Sequence, residues 1–199
     1  MSQILLLQSS LNGPASRTNQ LMERFLQTRR EQGHQDQVVV RDLTALDLPV
    51  LDSPLFHALR GAEPANEAIR QAVALSDRLI AELKAADLLL IGAPMYNLNV
   101  PTPLKNWFDL VARAGVTFRY TDTYPMGLVE GVNALVFSSR GGVHQGQTTD
   151  AVTPYLQSVL GLMGIAEVEF VYAEGMDLRP HGAEQGMREA HARIADLGR

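Results

Sequence analysis

Five short apolar runs are spaced along the chain, and segments with helical periodicity separate them. The runs cover residues 4–7, 38–40, 87–91, 134–137 and 168–172. Short continuous apolar runs are typical of strands that are buried on both faces. Between and after the runs, apolar residues recur every three or four positions, which predicts helices around residues 21–26, 66–85, 104–113, 152–163 and 182–197.

This alternation predicts an α/β fold in which a five-stranded parallel sheet carries helices on both faces. The flavodoxin-like strand order 2-1-3-4-5 is the natural choice, although sequence alone does not separate it from other doubly wound orders. The length suits a single domain over residues 1–199. Residues 42–64 hold three prolines and predict a long loop, and Gly115 is predicted to end the helix over 104–113.

Composition and charge exclude several classes of function. The net charge of −5 disfavours a nucleic-acid binder, because neutralising phosphates requires a basic surface. The chain has no cysteine, so disulfides, thiolate metal sites and a cysteine nucleophile are excluded, and we predict no metal site. No run approaches the roughly 20 apolar residues of a membrane-spanning helix, and no signal peptide is recognisable. We therefore expect a cytoplasmic protein without a membrane partner.

Three polar loops follow the first, third and fourth predicted strands, at residues 9–18, 93–101 and 139–147. In the flavodoxin-like order these strands are neighbours, so their carboxyl ends lie along one edge of the sheet. Open α/β sheets bind their ligands at this edge. The three loops are therefore predicted to share one ligand.

The first loop combines hydroxyl side chains with the start of a helix. Ser10, Ser16 and Thr18, together with free backbone N–H groups and the cation of Arg17, are suited to holding one phosphate. The alternative is that Ser16 and Thr18 only cap the helix. Neither a GxGxxG sequence nor a P-loop lysine motif occurs, so a single phosphate indicates a mononucleotide such as FMN.

The other two loops are suited to a flat ring. Residues 95–98, Met-Tyr-Asn-Leu, offer apolar and aromatic surface beside backbone donors, although they could simply plug the core. Gly141 and Gly142 would let the backbone approach a pyrimidine-like edge, although a plain glycine turn explains them as well. His144 is the histidine of the third loop and a candidate acid–base group. No nucleophile elbow of the hydrolase type is present.

Four segments together resemble the azoreductases, which are FMN-dependent NADH:quinone oxidoreductases. The most specific segment is residues 112–120, Ala-Arg-Ala-Gly-Val-Thr-Phe-Arg-Tyr. The others are Ala-Pro-Met-Tyr-Asn at 93–97, Leu-Lys-Asn-Trp-Phe-Asp at 104–109 and Ser-Arg-Gly-Gly at 139–142. The resemblance covers essentially the whole chain. It implies a flavodoxin-like fold and a homodimer with FMN near the subunit interface.

The resemblance also implies roles for individual residues. Its cofactor-contact motifs match this chain at Ser10, Ser16, Arg17, Thr18, Met95, Tyr96, Asn97, Leu98, Ser139, Arg140, Gly141 and Gly142. Phe118 and Tyr120 would line the substrate pocket of the partner subunit together with His144, and residues 122–127 would form a variable lid. No catalytic side chain is certain, and His144 and Tyr120 are the candidates. Leu98 stands where the family often has phenylalanine, so we expect the substrate range to differ there.

The reaction implied by the resemblance is a ping-pong transfer of two electrons. NADH or NADPH would donate hydride to FMN, and a quinone or an aromatic azo compound would then be reduced in the same space. The alternative from another class is a flavodoxin-type FMN electron carrier, which has no substrate of its own. Such carriers are usually more acidic than this chain. Sequence alone does not identify the natural substrate or the preferred nicotinamide.

Overall fold

The computed structural model describes residues 1–197, and its central feature is a five-stranded parallel sheet. The sheet strands are β1 (Gln3–Gln8), β2 (Gln37–Asp42), β3 (Leu88–Gly92), β6 (Asn133–Ser139) and β7 (Val168–Ala173). They lie in the order β2-β1-β3-β6-β7. Counted along the chain without the short hairpin strands β4 (Phe118–Arg119) and β5 (Met126–Gly127), this is the order 2-1-3-4-5. The flavodoxin-like prediction is therefore confirmed.

The described residues form six α-helices, of which the last follows the final strand. They are α1 (Arg17–Glu31), α2 (Ser53–Ala58), α3 (Glu67–Ala85), α4 (Thr102–Val111), α5 (Val152–Met163) and α6 (Gly182–Leu197). Ser16, Asp52 and Asn66 cap α1, α2 and α3, each accepting a hydrogen bond from the backbone N–H three residues on. Caps of this type satisfy N–H groups that have no partner within the helix. None of the described helices is long and apolar enough to cross a membrane.

The helices cover both faces of the sheet because successive strand residues point to opposite sides. Leu5 and Leu7 of β1 belong to a core cluster with α3, α4 and α5. Ile4 and Leu6 belong to a second cluster, with α1 and α6. The inner strands are therefore buried on both sides. The edge strand β2 differs, since its three valines are 38 to 48% exposed.

Two local predictions are wrong. Residues 42–64 are not loop throughout, because residues 53–58 form α2, with Asp52 as its cap and Leu55 buried in the core. Gly115 does not end the fourth helix, which already stops at Val111. There the Thr117 hydroxyl donates to the Val111 carbonyl at 2.6 Å and accepts from the Arg113 N–H at 2.9 Å. This side chain satisfies groups at the helix end and turns the chain towards the hairpin.

Candidate active site

The loops after β1, β3 and β6 meet around a cleft of about 320 Å³ at the carboxyl edge of the sheet. Surface depressions of about 410 to 470 Å³ lie elsewhere, but none of them is formed by these three loops together. The predicted residues that line the cleft are Arg17, Met95, Tyr96, Ser139, Arg140 and Gly141. Met176 and Asp177, from the connection between β7 and α6, and Ala183, at the start of α6, line it as well and were not predicted.

The hydroxyls of the first loop are engaged within the protein. Ser16 Oγ accepts from the Asn19 N–H at 3.1 Å and is bonded to Thr18 Oγ1 at 3.1 Å, and both side chains are fully buried. Ser16 therefore caps α1, whereas Thr18 lies within the helix, and a role of these hydroxyls in phosphate binding stays a prediction. The backbone N–H groups of Arg17 and Thr18 find no acceptor among residues 1–197. These donors, at the positive end of the α1 dipole, are available to an anion.

Tyr96 connects the first loop to the second. Its hydroxyl lies 3.2 Å from Ser10 Oγ and accepts from the Leu11 N–H at 3.1 Å. Ser10 is itself 7% exposed, so this contact is largely shielded from water. On the other side, the Met95 N–H donates to the Ser139 carbonyl at 2.9 Å. The three loops are thus hydrogen-bonded to one another and form a continuous wall.

The tip of the second loop is a strained two-residue turn. Tyr96 and Asn99 exchange backbone hydrogen bonds of 2.9 and 3.0 Å, and the two residues between them have positive φ, 50° at Asn97 and 65° at Leu98. A left-handed conformation costs a non-glycine residue about 1–2 kcal/mol. The N–H groups of Asn97 and Leu98 have no acceptor in the described part of the chain. Strain of this kind is typical of functional sites.

The glycines of the third loop permit close contacts. A Cβ on Gly141 would collide with the Asp177 carboxylate, and one on Gly142 would lie 2.8 Å from His144 Nε2. The carbonyls of Gly141 and Gly142 accept from the N–H groups of Asp177 and Gly175 at 3.0 and 2.9 Å. Their own N–H groups have no acceptor within residues 1–197. The plain-turn alternative is therefore incomplete, because the loop also leaves two donors free beside the cleft.

Arg140 lines the cleft, but its guanidinium is buried and fully engaged. It lies 3.0 Å from an Asp150 oxygen and 3.2 Å from a Glu174 oxygen. It also donates to the Ser138 and Thr153 hydroxyls at 3.1 and 2.9 Å. Burial works to raise the pKa of Asp150, but hydrogen bonds from Thr153 and Arg140 outweigh it and hold that pKa below its usual range. That Arg140 contacts the cofactor stays a prediction.

The predicted substrate residues do not line the cleft of their own chain. His144 is half-buried, with Nδ1 2.8 Å from the Thr149 hydroxyl. Phe118 is buried in the β4–β5 hairpin, and Tyr120, 64% exposed, packs edge-on against it with ring centroids 5.5 Å apart. Phe118 and Tyr120 therefore pack against each other within their own chain. This packing is compatible with a role for Tyr120 in a partner's site, which stays a prediction.

The donors around the cleft fit FMN. Unpaired N–H groups at the start of α1 suit a phosphate, and those of residues 97, 98, 141 and 142 suit the polar edge of a flat ring. Met95 and Tyr96 add apolar and aromatic surface. Among the residues that the structure describes, no group of three His, Asp or Glu side chains is placed to hold a metal ion.

Known proteins are similar to this chain in sequence and in fold. A family model described as "Flavodoxin-like fold" matches residues 2–197. The chain is 66% identical over 197 residues to FMN-dependent NADH:quinone oxidoreductase 4 of Burkholderia lata. It is 52% identical over 197 residues to an FMN-dependent NADH:quinone oxidoreductase of Aeromonas salmonicida. In both comparisons 99% of this chain and 99% of the relative are covered. A crystal structure of azoreductase from Bacillus anthracis superposes with a TM-score of 0.87 at 29% identity, covering 100% of this chain and 99% of that one. The chain therefore belongs to the flavodoxin-like family and, within it, to the FMN-dependent NADH:quinone oxidoreductases.

Proposed function

We propose that this protein is an FMN-dependent enzyme that transfers two electrons from NADH to quinones and also cleaves aromatic azo compounds reductively. The observation that carries the proposal is the meeting of three loops with unpaired backbone donors at one edge of the sheet. A relative that is 66% identical over 197 residues supports it. The names of the two relatives supply NADH, FMN and the quinone, and the structural neighbour supplies the azo substrate.

Each loop has a distinct part in this proposal. The N–H groups of Arg17 and Thr18 hold the phosphate of FMN, and the Arg17 side chain adds a positive charge. The Asn97–Leu98 turn and the Gly141–Gly142 segment direct N–H groups at the polar edge of the ring. Met95 and Tyr96 pack against its apolar surface. These contacts hold the cofactor in one orientation and leave space for a substrate.

Bound FMN supplies the redox chemistry, in which a hydride is accepted from the nicotinamide and two electrons pass to the second substrate. The protein contributes orientation and fixed N–H dipoles that favour negative charge on the ring. His144 and Tyr120 are the side chains that we propose to test as proton donors. Steady-state rates with NADH and with NADPH would identify the preferred donor. The same measurement with different second substrates would identify the natural one.

We also propose that the active enzyme is a cytoplasmic homodimer. The cleft of one chain is lined by neither Phe118 nor Tyr120, whereas Tyr120, Tyr124 and Met126 are exposed by 47 to 80% on the hairpin. A second chain would cover these apolar side chains and close the pocket. Light scattering on the FMN-loaded protein should give twice the 21.8 kDa of one chain, and a monomeric mass would contradict the proposal.

Stopped-flow mixing separates the enzyme from the flavodoxin-type carrier. When FMN-loaded protein is mixed with NADH without oxygen, the flavin absorbance should bleach within seconds, and addition of a quinone should restore it. A carrier would not be reduced by NADH. Absence of bleaching, in protein shown by fluorescence to bind FMN, would rule out the proposed reaction.

A further inference from the structure

Glu174, which is not among the predicted site residues, forms an ion pair with Arg140 beneath the third loop. The Arg140 side chain is 0% exposed and that of Glu174 is 12% exposed, with 3.2 Å between Nη1 and Oε1. A buried charge that loses its partner is strongly destabilising, so the two side chains depend on each other. Because Arg140 also bonds Asp150, Ser138 and Thr153, its position is determined from several sides.

The Glu174 carboxylate also fixes the third loop directly. Its Oε1 accepts the N–H groups of His144 at 2.8 Å and Gln145 at 2.9 Å, in addition to the Arg140 contact. Hydrogen bonds to an ionised carboxylate are stronger than those between neutral groups. One oxygen atom therefore joins the buried arginine to two consecutive backbone donors of the loop.

Backbone hydrogen bonds hold the glycines at the opposite end of the same loop. The N–H groups of Gly175 and Asp177 donate to the carbonyls of Gly142 and Gly141, at 2.9 and 3.0 Å. The Gly141–Gly142 segment thus lies between these backbone bonds and the Glu174 carboxylate. The two unpaired N–H groups of this segment keep their direction only if both the backbone bonds and the bonds to Glu174 are intact. The direction matters because hydrogen bonds weaken steeply when their geometry is disturbed.

We propose that Glu174, held in place by Arg140, is a positioning residue that aligns the Gly141 and Gly142 N–H groups with the cofactor. In this arrangement the Arg140 side chain acts through Glu174 and does not itself touch FMN. The inference rests on the proposed function, since it assigns these N–H groups to the flavin. Loss of the alignment weakens FMN binding and disfavours the reduced, more negative cofactor.

The test compares Glu174→Gln with Glu169→Gln. Glu169 lies in β7, the strand that Glu174 directly follows, but its side chain is 59% exposed and pairs with Arg193 at the surface. For Glu174→Gln we expect the dissociation constant of FMN, from fluorescence titration, to rise about tenfold, as for the loss of one charged hydrogen bond. The midpoint potential of bound FMN, measured with dithionite, should become more negative. Both quantities should stay at the wild-type values in Glu169→Gln.

A second variant keeps the test decisive if Glu174→Gln does not fold. Glu174→Asp retains the charge but has a shorter side chain, so its FMN affinity and midpoint potential should lie between those of the wild type and Glu174→Gln. If Glu174→Gln cannot be purified, Glu174→Asp alone should show a weaker FMN affinity and a more negative potential than the wild type. Wild-type potential and affinity in either folded Glu174 variant, or an equal change in Glu169→Gln, would overturn the inference. Because neither measurement uses NADH, a failure of the proposed reaction would appear separately, as wild-type protein that binds FMN without being reduced by NADH.

Discussion

At the scale of single residues, Leu98 shows how a strained backbone conformation can contribute to the site. Its side chain is 46% exposed and its φ is 65°, so burial gives little compensation for the left-handed backbone. The hydrogen bonds between Tyr96 and Asn99 impose this conformation on the turn. The result is a pair of N–H groups, at Asn97 and Leu98, that have no acceptor within residues 1–197.

Two substitutions at Leu98 separate the backbone strain from the side chain. Leu98→Gly and Leu98→Ala both remove the exposed side chain, but glycine adopts positive φ without steric cost. We expect Leu98→Gly to be about 1 kcal/mol more stable than Leu98→Ala in urea unfolding. The reverse order of stabilities would show that the turn does not hold Leu98 in the left-handed region.

At the scale of elements, the end of α5 determines where the β4–β5 hairpin sits. The N–H groups of Leu128 and Val129 both donate to the Met163 carbonyl, at 3.1 and 2.9 Å. Gly164 ends the helix with φ 104°, and a Cβ there would lie 2.7 Å from the Val129 carbonyl oxygen. The helix end and the hairpin therefore approach each other through backbone atoms, with glycine at the contact.

Gly161 provides a matched control on the same helix. Gly164→Ala should destabilise the protein by about 2 kcal/mol or more, because it combines a left-handed alanine with a steric clash. Gly161→Ala meets no atom within 4 Å and lies inside the helix, so it should stabilise by about 0.5–1 kcal/mol. Calorimetry or urea unfolding checks both values. Equal effects of the two substitutions would contradict the described contact.

At the scale of the whole molecule, buried and half-buried ion pairs connect separate segments of the chain. They also make the free energy of unfolding depend on pH. The pKa of Asp36 is lowered, chiefly by its hydrogen bond from Arg29, and that of Asp150 is lowered despite burial. A carboxylate with a lowered folded-state pKa adds stability above its unfolded pKa of about 3.9. This contribution is lost as the pH falls through the folded-state pKa.

Asp150→Asn tests this dependence. At pH 7 we expect the variant to be about 1–3 kcal/mol less stable than the wild type, because Arg140 loses a charged partner while buried. As the pH falls below the unfolded pKa of about 3.9 towards the lower folded-state pKa, this contribution of Asp150 is progressively lost, so the difference should shrink. Urea unfolding at pH 7 and pH 3 measures it. A difference that grows towards acid pH would mean that the pKa of Asp150 is raised, and not lowered, in the folded protein.

Much of the fold can be predicted from the sequence itself, because interactions between residues that are close in sequence determine it. Apolar runs and helical periodicity predicted the five parallel strands and five of the six described helices, and the helix over residues 152–163 has its predicted bounds. The Ser16 cap depends on a hydrogen bond to a residue three positions away. The resemblance over residues 112–120 predicted the family, and the relatives confirm it.

Only the tertiary structure decided the contacts that build the site. Tyr96 bonds Ser10 across 86 positions of sequence, and Arg140 bonds Glu174 across 34. No local pattern marks such pairs, so the lining by Met176 and Asp177 and the buried role of Arg140 were not predicted. The short helix α2 and the early end of α4 also depend on partners, in the core and at Thr117. The sequence by itself determined the five sheet strands and the five longer helices, because these depend on neighbouring residues. Packing of the folded chain decided the remaining elements and which groups stay free for a ligand.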